Sequence, residues 1–143
     1  MNPSPLILIV DDSEPLRSAM RELIGAAISG CICIGASTGE NGVAVARERR
    51  PAIVVMDLKL PGMNGIEATR QIKALFPDTQ VVMVSLYEAA HFQTEAARAG
   101  ATAFLPKRLM HRELIPMLIS LLEGNGGEHA LPVANTQTGG VNA

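Results

Sequence analysis

Asp11, Asp12, Asp57, Ser85 and Lys107 are the residues whose types and placement could do chemistry together. Each falls at the end of a short apolar run: Leu6-Ile7-Leu8-Ile9-Val10, Ile53-Val54-Val55-Met56, Val81-Val82-Met83-Val84 and Ala103-Phe104-Leu105-Pro106. If these runs are parallel strands of one sheet, all five polar groups emerge at its carboxyl edge, where open α/β sheets bind ligands. Three crowded carboxylates repel one another unless a divalent cation sits among them, and hard oxygen donors suit Mg2+. A hydroxyl and an ammonium beside them would cradle an anion such as phosphate. The set reads as a phosphorylation site.

The elements that must position these groups follow from the pattern around them. Strand and helix alternate five times, which predicts a single parallel sheet with helices on both faces, an α/β doubly wound fold. Leu6–Val10 is continuously apolar, as expected of a strand covered on both sides. Asp12-Ser13-Glu14-Pro15 looks like a helix start, and Leu16, Met20, Leu23, Ile24 and Ala27 recur at helical spacing behind it. Cys31–Ala36 is the second expected strand. Ser37-Thr38-Gly39 opens a helix to about Arg49, with Val43 and Ala46 inward, and Ile53–Asp57 is the third strand. Pro61-Gly62-Met63-Asn64-Gly65 is a turn cluster. Its two glycines are expected to serve backbone geometry, through a positive φ or close packing.

A third helix carries Ile66, Ile72 and Leu75, and Gln80–Ser85 is the fourth strand. An Ala-rich helix over Glu88–Ala99 ends at Gly100. After Ala103–Pro106, a last helix carries Leu114, Leu118, Leu121 and Leu122. Pro116 lies within its stripe and should kink the helix or mark its first turn. Residues 1–123 are expected to form one domain, and 124–143 a flexible tail.

Bulk properties narrow the function classes. A chain of 143 residues with 48% hydrophobic and 18% charged side chains suits one ordinary globular domain. A net charge of -2 gives no footprint for nucleic acid. No stretch is long and apolar enough to span a bilayer, and the start lacks a basic signal-peptide region, so a cytoplasmic location is expected. Cys31 and Cys33 are the only cysteines. As strand residues two apart they share a face. Metal or redox chemistry would call for further thiols or nearby histidines, so buried structural thiols are expected. His91, His111 and His129 have no ligand spacing and read as surface residues.

Val10-Asp11-Asp12, Met56-Asp57, Leu60-Pro61-Gly62-Met63-Asn64-Gly65, Val84-Ser85 and Phe104-Leu105-Pro106-Lys107 together resemble the receiver domain of two-component response regulators. The match covers roughly Leu6 to Glu123. It implies a flavodoxin-like sheet of strand order 2-1-3-4-5. It also implies that Asp57 accepts a phosphoryl group from a sensor histidine kinase or a histidine phosphotransfer protein. Asp11, Asp12, Asp57 and the Lys59 backbone carbonyl would bind Mg2+. Ser85 would donate a hydrogen bond to one phosphoryl oxygen and Lys107 would pair with another. Ser85 and Phe104 would act as the switch, and the face formed by the fourth helix, fifth strand and fifth helix would contact a downstream protein or a second copy.

Plainer roles exist for each residue. Asp12 could cap the first helix, Asp57 could be a turn residue, and Ser85 an ordinary strand-end hydroxyl. Lys107 could be a solvated edge lysine, and Phe104 plain core. Two other functions compete with a phosphoryl switch: a receiver-fold scaffold that needs no phosphorylation, and a Mg2+-dependent phosphohydrolase. The intact acidic set argues against the first. Short loops and the lack of an Asp-x-Asp nucleophile pattern argue against the second. The tail from Gly124 has no lysine or arginine and no helix-turn-helix pattern, so direct nucleic-acid binding by this chain is not expected. Ser85-Leu86-Tyr87 and the non-proline residue after Lys107 resemble receivers joined to helix-turn-helix domains. The chain is thus either a standalone regulator or a piece of a longer one. In the family, Pro often follows the lysine; here Pro106 precedes Lys107 and Arg108 follows, which leaves the local geometry open.

Overall fold

A computed structural model describes residues 4–124. Five strands, β1 (Leu6–Val10), β2 (Ile32–Ala36), β3 (Ile53–Asp57), β4 (Gln80–Ser85) and β5 (Ala103–Pro106), alternate with helices α1 (Glu14–Ala27), α2 (Gly39–Arg49), α3 (Gly65–Leu75), α4 (Ala90–Ala99) and α5 (Met110–Leu122). The strands form one parallel sheet of order β2-β1-β3-β4-β5. The order reverses direction between β1 and β3, which opens the crevice where sheets of this kind bind ligands.

Alternate strand residues build two cores. Leu8, Val10, Val54, Met56, Val81, Met83 and Phe104 pack on the side of α2, α3 and α4. Ile7, Ile9, Ile53, Val55, Val82, Val84 and Leu105 pack on the side of α1 and α5. The two-residue period of a strand separates the sets, and burial on both faces explains the unbroken apolar runs.

Polar caps start three helices at the crevice edge. Ser13 accepts from the Leu16 N–H at 3.3 Å, Thr38 from Asn41 at 3.0 Å and Asn64 from Glu67 at 2.9 Å. Each satisfies an N–H that the helix leaves without a partner. The capping role open to Asp12 therefore falls to Ser13.

Several sequence expectations need correction. Leu23 and Leu75 are 39% and 43% exposed, and Ala27 is exposed as well, so the inward stripes of α1 and α3 are narrower than their spacing suggested. β2 starts at Ile32 and α4 at Ala90, the latter without a side-chain cap. Pro116 lies inside α5 and not at its first turn, and the helix continues past it. It and Arg112, whose carbonyl loses its N–H partner, are both exposed, so water can satisfy that oxygen. Cys31 and Cys33 share a face but are only half-buried. The tail from residue 125, with His129, lies outside the described residues.

Candidate functional site

Asp11 follows β1 directly and is 1% exposed. Its backbone N–H donates to the Ala36 carbonyl at 3.1 Å, holding the turn against β2. One carboxylate oxygen accepts from the Ser13 N–H at 2.9 Å, and the other from Lys107 Nζ at 3.0 Å. Arg17, one turn into α1, donates to the Asp11 carbonyl at 2.7 Å. Asp57 ends β3, also buried, with Oδ1 3.3 Å from Lys107 Nζ. Asp12 is exposed at the mouth. Carboxylate oxygens of Asp11, Asp12 and Asp57 lie within 4.8 Å of one another.

The electrostatics follow from crowding. Burial and the Asp11 charge push the Asp57 carboxyl from its ordinary 3.8 up to about 6, although Lys107 and the Lys59 N–H pull it down. Burial alone would lower the Lys107 pKa, but its hydrogen bond to Asp11 and the charges of Asp57 and Asp11 raise it above its usual value. Three carboxylates face one ammonium. An all-oxygen donor set with uncompensated negative charge fits a hard divalent cation.

This imbalance has a consequence for stability. The folded chain binds a proton at Asp57 that the unfolded chain has released between about pH 4 and 6, so stability of the metal-free protein falls as pH rises through that window. A displacement from 3.8 to about 6 corresponds to at most about 3 kcal/mol. Asp57→Asn is therefore expected to stabilise the metal-free protein at pH 7 by about 1–2 kcal/mol, an increase absent at pH 4. Thermal melts of both proteins with EDTA check this.

Ser85 ends β4, 1% exposed, and its hydroxyl accepts from the Tyr87 N–H at 2.8 Å, leaving its own proton free to point elsewhere. Lys107 opens a single 3-10 turn (Lys107–Leu109) straight after β5. Pro106 pairs with Ser85 on an edge strand, a position that tolerates the missing N–H. Phe104 lies away from the carboxylates, 7% exposed, in the core beneath α4. Gly62 adopts φ +74°, and a Cβ on Gly65 would lie 2.0 Å from the Asp57 carbonyl oxygen. Both glycines thus serve the geometry expected of them.

Two contacts had no sequence signal. Arg17 reaches back across the first turn of α1, and Arg108 makes two hydrogen bonds to the Glu88 carboxylate, at 2.9 and 3.2 Å. The second pair ties the β4–α4 loop to the turn that carries Lys107. Lys59 Nζ lies 5.3 Å from the Tyr87 ring centroid, and Tyr87 packs edge-on against Phe92. Tyr87 and Leu86 are 48% and 72% exposed. Among the described residues no helix is long and apolar enough to cross a membrane.

A doubly wound sheet of this order, with an acidic crevice and a lysine beyond its last strand, defines a signalling receiver. Residues 7–119 match the response regulator receiver domain, and the chain belongs to that family. It is 35% identical to the response regulator GacA of Pseudomonas protegens over 119 residues, which is 82% of this chain and 55% of that protein. Identity to the response regulator UvrY of Escherichia coli K12 is 31%, over 82% of this chain and 54% of that one. The chain thus spans about half the length of the curated relatives it matches. Among solved structures, a two-component response regulator of the LuxR family from Aurantimonas sp. SI85-9A1 superposes with TM-score 0.80 at 29% identity, covering 94% of each chain. The response regulator domain of Thermotoga maritima CheB gives TM-score 0.73 at 32% identity, covering 87% of this chain and 97% of that one.

Proposed function

We propose that the chain takes a phosphoryl group from a histidine kinase, or from a histidine phosphotransfer protein, onto Asp57. The observation that carries this reading is the Asp57 carboxylate at a crevice edge, 3.3 Å from Lys107 and within one cluster with Asp11 and Asp12. An Asp57 oxygen attacks phosphorus, the P–N bond of a phosphohistidine breaks, and the imidazole leaves with the bonding pair and takes up a proton. The product is an aspartyl phosphate. Asp57 needs no general base, because it is nucleophilic once ionised. Asp11, Asp12, Asp57 and the Lys59 carbonyl would hold Mg2+, which when bound supplies positive charge beside the transferring oxygens. Lys107 supplies the other positive charge, and the Ser85 hydroxyl donates to a phosphoryl oxygen. Residues 1–123 form the working domain in this reading.

The aspartyl phosphate carries roughly two negative charges where the carboxylate carried one, and it presents three phosphoryl acceptor oxygens. Drawing Ser85 toward it would release the Tyr87 N–H and strain the Glu88–Arg108 tie between loop and turn. Phe104 is buried in this structure, so its part in the switch would be to hold or release that packing under α4. The surface altered is that of α4, β5 and α5, proposed to contact a downstream protein or a second copy of the chain. Beryllofluoride, which mimics a phosphoryl group on a carboxylate, tests the pocket. With Mg2+ it should raise the melting midpoint of the wild type and leave Asp57→Asn unmoved; equal behaviour of the two proteins counts against the pocket.

Lys59 and Tyr87 would govern how long the phosphoryl group survives. The ammonium packed over the ring places both side chains together in the loops beyond Asp57 and Ser85, where they can shield phosphorus from water. Lys59→Ala and Tyr87→Ala are each expected to shorten the aspartyl-phosphate lifetime several-fold, followed as loss of the phosphorylated mass with time. Unchanged lifetimes in both would end the idea.

A further inference from the structure

The cysteine pair takes no part in the phosphoryl site. Cys33 pairs with Ile7, four residues before Asp11, so it sits roughly 13 Å down the sheet at about 3.3 Å per residue. Strand β2 is an edge strand, bonded to β1 alone. Its row on the α1 side reads Cys31, Cys33, Gly35. Both thiols pack against the core of that face yet stay half-exposed at the open edge. A Cβ on Gly35 would lie 3.3 Å from the Arg17 side chain and 3.5 Å from an Arg21 guanidinium nitrogen. The bare glycine leaves room for both arginine side chains; Arg17 reaches on to the Asp11 carbonyl, while the Arg21 charge favours the Cys33 thiolate.

We propose that Cys31 and Cys33 are a two-sulfur chelating site for a soft, thiophilic metal or metalloid centre. Cys31 immediately precedes β2 and Cys33 lies within it, and the two thiols interact directly with each other. A bridging atom with bonds of about 2.3 Å to each sulfur holds them roughly 3.5–4 Å apart at pyramidal or tetrahedral angles, wider than the S–S bond of a disulfide. Arg21 offsets negative charge on a dithiolate complex. Burial and the neighbouring Cys31 push the Cys33 thiol up to about 12, a cost that two sulfur bonds to one centre offset where a single bond would not.

Phenylarsine oxide is the probe. Two arsenic–sulfur bonds form, the arsenic–oxygen bond breaks, and both thiol protons leave with that oxygen as water. Native mass spectrometry at one equivalent, in excess glutathione, should show one arsenical on the wild type and on Asp57→Asn. The adduct should vanish in Cys31→Ser and in Cys33→Ser, each confirmed folded by circular dichroism, and be stripped by 2,3-dimercaptopropanol. A folded wild type that takes up no arsenical overturns the proposal, as does an adduct that survives either serine variant. Because Asp57→Asn is one arm, failure here leaves the phosphoryl reading untouched.

Discussion

Lys107→Met is expected to slow phosphoryl uptake by roughly a hundredfold or more, the scale of removing one preorganised stabilising group. The side chain is mostly buried and sits 3.0 Å from Asp11 and 3.3 Å from Asp57. Two effects act in one direction. Negative charge building on the transferring oxygens loses its nearest ammonium, and the Asp57 carboxyl, already near 6, moves higher and is less ionised at neutral pH. Stability should fall at pH 7, where two buried carboxylates lose their cation, and recover on acidification as Asp57 takes up a proton. Lys107→Arg should rescue poorly, because a planar fork replaces a compact charge. A time course of phosphorylated mass, with an NMR titration of the Asp57 carboxyl, checks both. An unchanged rate and titration would remove Lys107 from the mechanism.

Gly65→Ala is expected to cost about 3 kcal/mol of stability and to impair phosphoryl uptake. Its Cβ would fall 2.0 Å from the Asp57 carbonyl oxygen, 2.9 Å from the Asp57 carbonyl carbon and 3.1 Å from the Leu58 Cα. These are backbone atoms, so no side-chain rotation relieves the clash. The start of α3 must move away from the end of β3, and Asp57 moves with it. Gly25→Ala is the matched control. Nothing lies within 4 Å of its Cβ, and in the interior of α1 alanine should stabilise by about 0.5–1 kcal/mol. Denaturant unfolding of the two variants should therefore give opposite signs. Equal effects would mean that the close approach of α3 to β3 is not what Gly65 provides.

The strands and their ends were legible because burial on both faces leaves unbroken apolar runs, and the polar residue after each run must emerge at one edge. That logic located Asp11, Asp57, Ser85 and Lys107 before any contact was known. Helix faces were less legible. Leu23 and Leu75 keep helical spacing but lie past the rim of the core, which spacing alone cannot reveal. Pro116 did not mark the start of α5, because a proline costs less where the residue whose carbonyl it strands is exposed. Arg17 and the Glu88–Arg108 pair depend on how far long side chains reach across a fold. Nothing local in the sequence marks such partners. The thiols were misread as buried because strand pattern gives the face of a residue and not its nearness to a sheet edge.

Intact mass after incubation with acetyl phosphate and Mg2+ tests the central claim most directly, run beside Asp57→Asn and an EDTA control. The account predicts one added phosphoryl group on the wild type, lost in both controls and sensitive to hydroxylamine as an acyl phosphate must be. A phosphoryl group that persists in Asp57→Asn, or forms equally well in EDTA, would contradict it.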